Sequence, residues 1–108
     1  MTWAKLDDGF PEHPRIASLT DKAFRLHVSS ICLAARKLSD GHISVIDGKV
    51  LRALTGAQAK HVTELLDCGV WQENGDGWVI RDYLDYNPPA DYVKERRRKD
   101  AERKKRNP

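Results

Sequence analysis

Residues 40–81 constrain this 108-residue chain more than any other stretch, because hydrophobic period and chain punctuation change there several times with little slack between. Gly41 closes what precedes it, and residues 42–45 alternate enough to predict a short strand. Ile46, Val50, Leu51 and Leu54 then recur at spacings of three and four, which predicts a helix over 47–54 with those four on one buried face. Thr55 and Gly56 break it, glycine being the residue that accepts a positive φ at a helix end. A second helix is predicted over 57–67, with Ala59, Val62, Leu65 and Leu66 as its stripe and Cys68 and Gly69 as its end. The runs 70–73 and 77–81 flank Asn74, Gly75 and Asp76, a tight-hairpin composition in which several residues are expected at positive φ. Strand, helix, turn, helix and hairpin in that order make a helix-turn-helix with a wing. The expected class is mainly α with a small β-hairpin (α+β): a winged helix-turn-helix over 1–86, then a basic C-terminal helix over 87–108.

A chain of this length forms one domain with a modest core. Its charge is unevenly spread. Residues 1–90 hold 10 Lys and Arg against 12 Asp and Glu, a balance of −2; residues 91–108 hold 9 against 4, a balance of +5. An acidic body grips phosphates weakly, so the tail is where an anionic partner is expected to be held. Cys32 and Cys68 read as buried unpaired thiols of a reducing compartment. No C-x-x-C motif is present, and His13, His27, His42 and His61 lack metal-ligand spacing, so neither metal nor cofactor is expected. No apolar run approaches the roughly 20 residues of a membrane helix, and the start lacks a signal-peptide core. The expected location is the cytoplasm.

Before the motif, residues 1–10 read as an extended lead-in anchored by Trp3 and Leu6, and Pro11 and Pro14 precede about one helical turn. Residues 19–38 form the clearest helix, with Thr20 as N-cap and Phe24, Val28, Ile31, Ala35 and Leu38 as one stripe. Leu26 and Leu33 supply a second apolar side, which suits a central helix. Trp71 and Trp78 flank the hairpin turn as packing aromatics, and 82–86 is expected to continue extended. Asn87 then caps the last helix with Pro88 in its first position. After Val93 its only apolar residue is Ala101, which excludes a heptad seam.

If the second helix of the motif enters a major groove, its first turn reads bases, so Gln58, Lys60 and His61 are the candidate readers. Lys49, Arg52, Thr55 and Arg81 are the candidate backbone contacts of the body. Lys94, Arg96, Arg97, Arg98, Lys99, Arg103, Lys104, Lys105 and Arg106 form a phosphate-binding arm. An ordinary solvated face is an equally open reading of the second helix, and a solvated tail of the last. No G-x-S-x-G, phosphate-cradling glycine loop or paired carboxylate beside a base is present, so no enzyme activity is expected.

The segments WAKLDDGFPEHPRI, LTDKAFRLHV, LSDGHI and CGVWQENGDGWVIRDYLDYNP, with the basic helix after them, resemble a family of small actinobacterial phage and prophage proteins. These are similar to the N-terminal winged-helix modules of phage replication initiators and replisome organisers, including the DnaD-like group. The resemblance implies origin DNA binding in the host cell and recruitment of replication proteins, a helicase or its loader. Such organisers usually continue into a second domain, whereas this chain stops at Pro108. Specific reading by so small a unit points to a homodimer or tandem sites. The competing readings are a winged helix that docks a replication or regulatory protein, favoured by the acidic body, and a small transcriptional regulator.

Overall fold

A computed structural model describes residues 3–106, with side-chain surroundings through Lys104. After the lead-in come a 3-10 turn (Phe10–Glu12), α1 (Pro14–Ala17), α2 (Asp21–Lys37), β1 (His42–Ser44), α3 (Val45–Thr55) and α4 (Ala59–Asp67). Then follow β2 (Trp71–Asn74), β3 (Gly77–Ile80), α5 (Tyr83–Tyr86) and α6 (Ala90–Arg106). The class is α plus β: helices on a three-stranded antiparallel sheet of order β1-β3-β2. No described helix is long and apolar enough to cross a membrane.

The hairpin pairs Asn74 with Gly77, leaving Gly75 and Asp76 as a two-residue turn. Of the tip residues only Gly75 has positive φ, at +52°, rather than the several that the composition suggested. Glycine at the first central position is the type II′ pattern, which matches strand twist. Gly77 is needed for another reason: a Cβ there would run into the Ile43 carbonyl oxygen of β1, which pairs with β3 at that point.

The core lies between α2 and the sheet. Leu26, Ile43, Leu65 and Trp71 are sealed from solvent, and Ile16, Ile31, Leu33, Val62, Val70, Ile80 and Tyr83 close around them. α2 packs on both α3 and α4, as its two apolar sides predict. It ends in a left-handed Leu38, φ +54°, and Asp40 and Gly41 also have positive φ. That tight turn points the Asp40 carboxylate at α6, where Oδ1 accepts from the Ala90 N–H at 2.7 Å.

Several local expectations are corrected. Ile46, Val50 and Leu54 are exposed; of the expected face only Leu51 is buried, together with Gly48 and Thr55, and the Trp78 ring lies over Gly48. Residues 82–86 are not extended, since Tyr83–Tyr86 closes a helical turn. Asn87 does not start α6. It is buried, and its side-chain amide pairs with the backbone of Lys5, accepting from N–H at 2.8 Å and donating to the carbonyl at 3.3 Å, which holds the lead-in on the body. Trp3 is exposed rather than anchoring that lead-in, Cys32 is exposed, and Cys68 is half-buried.

Candidate nucleic-acid interface

The turn between α3 and α4 is built from short-range hydrogen bonds. Gly56, φ +76°, closes α3 by donating to the Arg52 carbonyl at 2.9 Å. Thr55 sits just inside: its hydroxyl donates to the Leu51 carbonyl at 2.8 Å and accepts from the Ala57 N–H at 3.3 Å. Thr55 is therefore buried and spoken for, which removes it from the backbone-contact set. α4 starts when the Gln58 N–H donates to His61 Nδ1 at 2.8 Å, satisfying a donor that the helix itself leaves free. The ring that makes this cap is turned inward and buried, so His61 does not present itself to a base.

What α4 does expose is Gln58, Ala59, Lys60, Thr63 and Asp67. Two of the three expected readers, Gln58 and Lys60, are thus exposed, Gln58 while also forming a capping box with His61, and Thr63, one turn along from Lys60, takes the place expected for His61. Its three-residue spacing from Lys60 is the signal that would have found it. Glu64 does not face outward with them. Its two carboxylate oxygens accept from the Thr20 N–H and hydroxyl, each at 2.7 Å, so α4 caps the start of α2 from outside that helix. Lys22 follows in the first turn of α2, its ammonium beside Gly56, 3.9 Å from where a Cβ would stand.

The body's other cations are dispersed. Arg81 meets Arg15 over Gly69 at the end of α4, their guanidinium nitrogens 3.5 and 3.7 Å from the Cβ position. Both favour the negative end of the α4 dipole there, and Arg15 gave no such signal in sequence. Lys49 is exposed on α3, and Arg52 is half-buried with an Nε that has no partner. The hairpin tip presents acid rather than base, with the Asp76 carboxylate 3.2 Å from His42 Nε2.

α6 is exposed from Lys94 to Lys104 apart from Asp100, which is half-buried. Arg98 bridges Glu95 and Glu102, each at 2.6 Å, and Arg103 contacts Asp100 at 3.1 Å. The Arg98 guanidinium holds the Glu95 carboxyl below the usual range. Arg97 is also engaged with a neighbour. Arg96, Lys99 and Arg103 recur at spacings of three and four behind Tyr92, which puts four exposed side chains on one face. Lys94 and Lys104 are exposed too, while the side chains of Lys105 and Arg106 lie outside the described residues.

Beneath the lead-in, a cavity of about 70 Å³ is lined by Phe10, Ile16, His27, Ile31, Tyr83 and Tyr86, among others. It is smaller than the roughly 150 Å³ of an enclosed cavity that admits benzene. Against known proteins, no family model, curated protein or solved structure matches the chain.

Proposed function

We propose that the chain is a winged helix-turn-helix protein that binds double-stranded DNA, with α4 in the major groove and α6 along phosphates. One observation carries the reading: α2, β1, α3, α4, β2 and β3 follow one another on a β1-β3-β2 sheet, and the first turns of α4 leave Gln58, Lys60 and Thr63 open. Gln suits adenine, Lys suits guanine edges, and Thr tolerates either. Arg96, Lys99 and Arg103 supply the phosphate contacts that the acidic body lacks.

The narrower role, origin binding and helicase or loader recruitment in a phage or prophage, rests on the resemblance of the quoted segments. The host cytoplasm follows from that role. A dimer or tandem sites would supply the specificity that a single α4 lacks.

The test is fluorescence anisotropy of random and candidate-origin duplexes at two salt concentrations. Binding should be nanomolar to micromolar and fall steeply with salt. Changing Arg96, Lys99 and Arg103 together to Gln should flatten the log-log salt slope by about 2 to 3, since each phosphate contact contributes about 0.9. Lys60→Ala should reduce discrimination between duplexes and leave most of the slope. No duplex binding, or an unchanged slope in the triple variant, defeats the reading.

A further inference from the structure

We propose that the outer face of α3 docks an acidic amphipathic helix of a partner protein. With Gly48, Leu51 and Thr55 turned inward, Ile46 and Leu54 stand 73% and 70% exposed, and Val50 and Val45 stand 48% and 44% exposed. Residues 46, 50 and 54 lie one above another along about 12 Å of helix. Single exposed aliphatics are ordinary, but a continuous stripe of them is not. The four side chains leave on the order of 400 Å² of apolar surface in water, comparable to the largest patch of a typical monomer. Such a stripe has nothing to offer a phosphate.

Charge selects the occupant. Lys49 and Arg52 follow one edge of the stripe, and the Arg52 Nε is buried without a partner. Asp47 borders the other edge, where the Lys37 ammonium at 2.6 Å neutralises it. Along the flank of the stripe the charge is positive, while Asp76, whose carbonyl accepts from the Val45 N–H, puts a carboxylate beside His42 at the N-terminal end only. The complement of the stripe is a helix with apolar residues three and four apart and carboxylates along one flank. A second copy fits worse: an antiparallel two-fold axis through Val50 would set Lys49 of one chain against Arg52 of the other. About 400 Å² per side gives a total in the range of transient complexes, so micromolar affinity is expected.

The probe is a fluorescent, hydrocarbon-stapled 16-residue helix with leucines three and four apart and glutamates on one flank, beside a twin carrying lysines there. Titrated with the full chain, the glutamate peptide should bind at micromolar Kd, at least tenfold more tightly than its twin. Val50→Glu, a change at a half-exposed position, should weaken it tenfold or more while the thermal melt and duplex binding stay as in the parent chain. Lys49→Glu should narrow or reverse the preference between the peptides. Absence of saturable binding, or equal binding of the two peptides, overturns the proposal. So does a sedimentation-detected dimer dissolved by Val50→Glu, which would give the face to a second copy.

Discussion

An indole N–H donates and never accepts, so the 3.1 Å contact from Trp71 Nε1 to His27 Nδ1 fixes the neutral tautomer of this histidine with its proton on Nε2. Phe10 stacks on the same ring at 5.8 Å, and both His27 and Trp71 are buried. Burial, only partly offset by Asp82, lowers the His27 pKa from 6.5 to about 4. Protonation therefore favours the unfolded chain. The stabilisation is complete above about pH 6.5 and is lost as pH falls towards 4, about 3 kcal/mol in full and about 2 kcal/mol by pH 5. Urea melts at pH 7.5 and 5 should show this loss, and His27→Gln, which keeps an acceptor for Trp71, should remove most of it; an equal loss in the variant would place the titration elsewhere. Glycines sort the same way by surroundings. Gly75 has positive φ with nothing near its Cβ position, whereas Gly77 faces the β1 backbone. Gly75→Ala should cost about 1 to 2 kcal/mol of strain, and Gly77→Ala more, up to about 3 kcal/mol or beyond from overpacking, with the ranking read from thermal melts. Positive φ within 74–76 was legible beforehand, but the Trp71 contact of His27 and the crowding at Gly77 were not, because a histidine in a helix and a glycine in a turn look alike in sequence whatever packs against them.

At the scale of elements, order was legible and orientation was not. The apolar period over 19–38 became Asp21–Lys37, the period over 57–67 became Ala59–Asp67, and the turn residues at 74–76 gave the hairpin. α3 shows where periodicity runs out. Ile46, Val50 and Leu54 specify a helix, yet Gly48, Leu51 and Thr55 form the inner face, because only a residue without a side chain lets the Trp78 ring settle on the helix. Hydrophobic spacing names a face; which face meets the core depends on the neighbour. His61 and Glu64 carry the same lesson for the candidate site, both being polar residues on a helix that reads as exposed and both committed to helix starts. The Glu64 link joins two elements, so its removal should be felt by both. Glu64→Ala strips Thr20 of both partners and should cost about 1 to 2 kcal/mol, the scale of a lost N-cap. A lower urea midpoint with an unchanged slope would be the signature. Unaltered stability would mean that water replaces the carboxylate at no cost.

Across the whole molecule, the two parts of the DNA reading are anchored far apart. Glu64 fastens α4 to the start of α2, while Asp40, just beyond the end of α2, fastens α6, and 17 residues of helix separate those points by about 25 Å. The molecule is accordingly long, with extents of 52 × 30 × 23 Å. On the proposed reading one duplex has to reach both Lys60 and the Arg96, Lys99 and Arg103 face. At 3.4 Å per base pair the longest extent covers about 15 base pairs. Duplexes of about 20 base pairs should therefore show the full salt slope, whereas duplexes of about 8 should lose part of it, because α4 and α6 then compete for the same phosphates. The triple Gln variant of α6 should erase the difference between the two lengths. Equal slopes on short and long duplexes would mean that only one of the two elements touches DNA, and the triple variant would then say which: a slope that collapses names α6, and a slope that survives names α4.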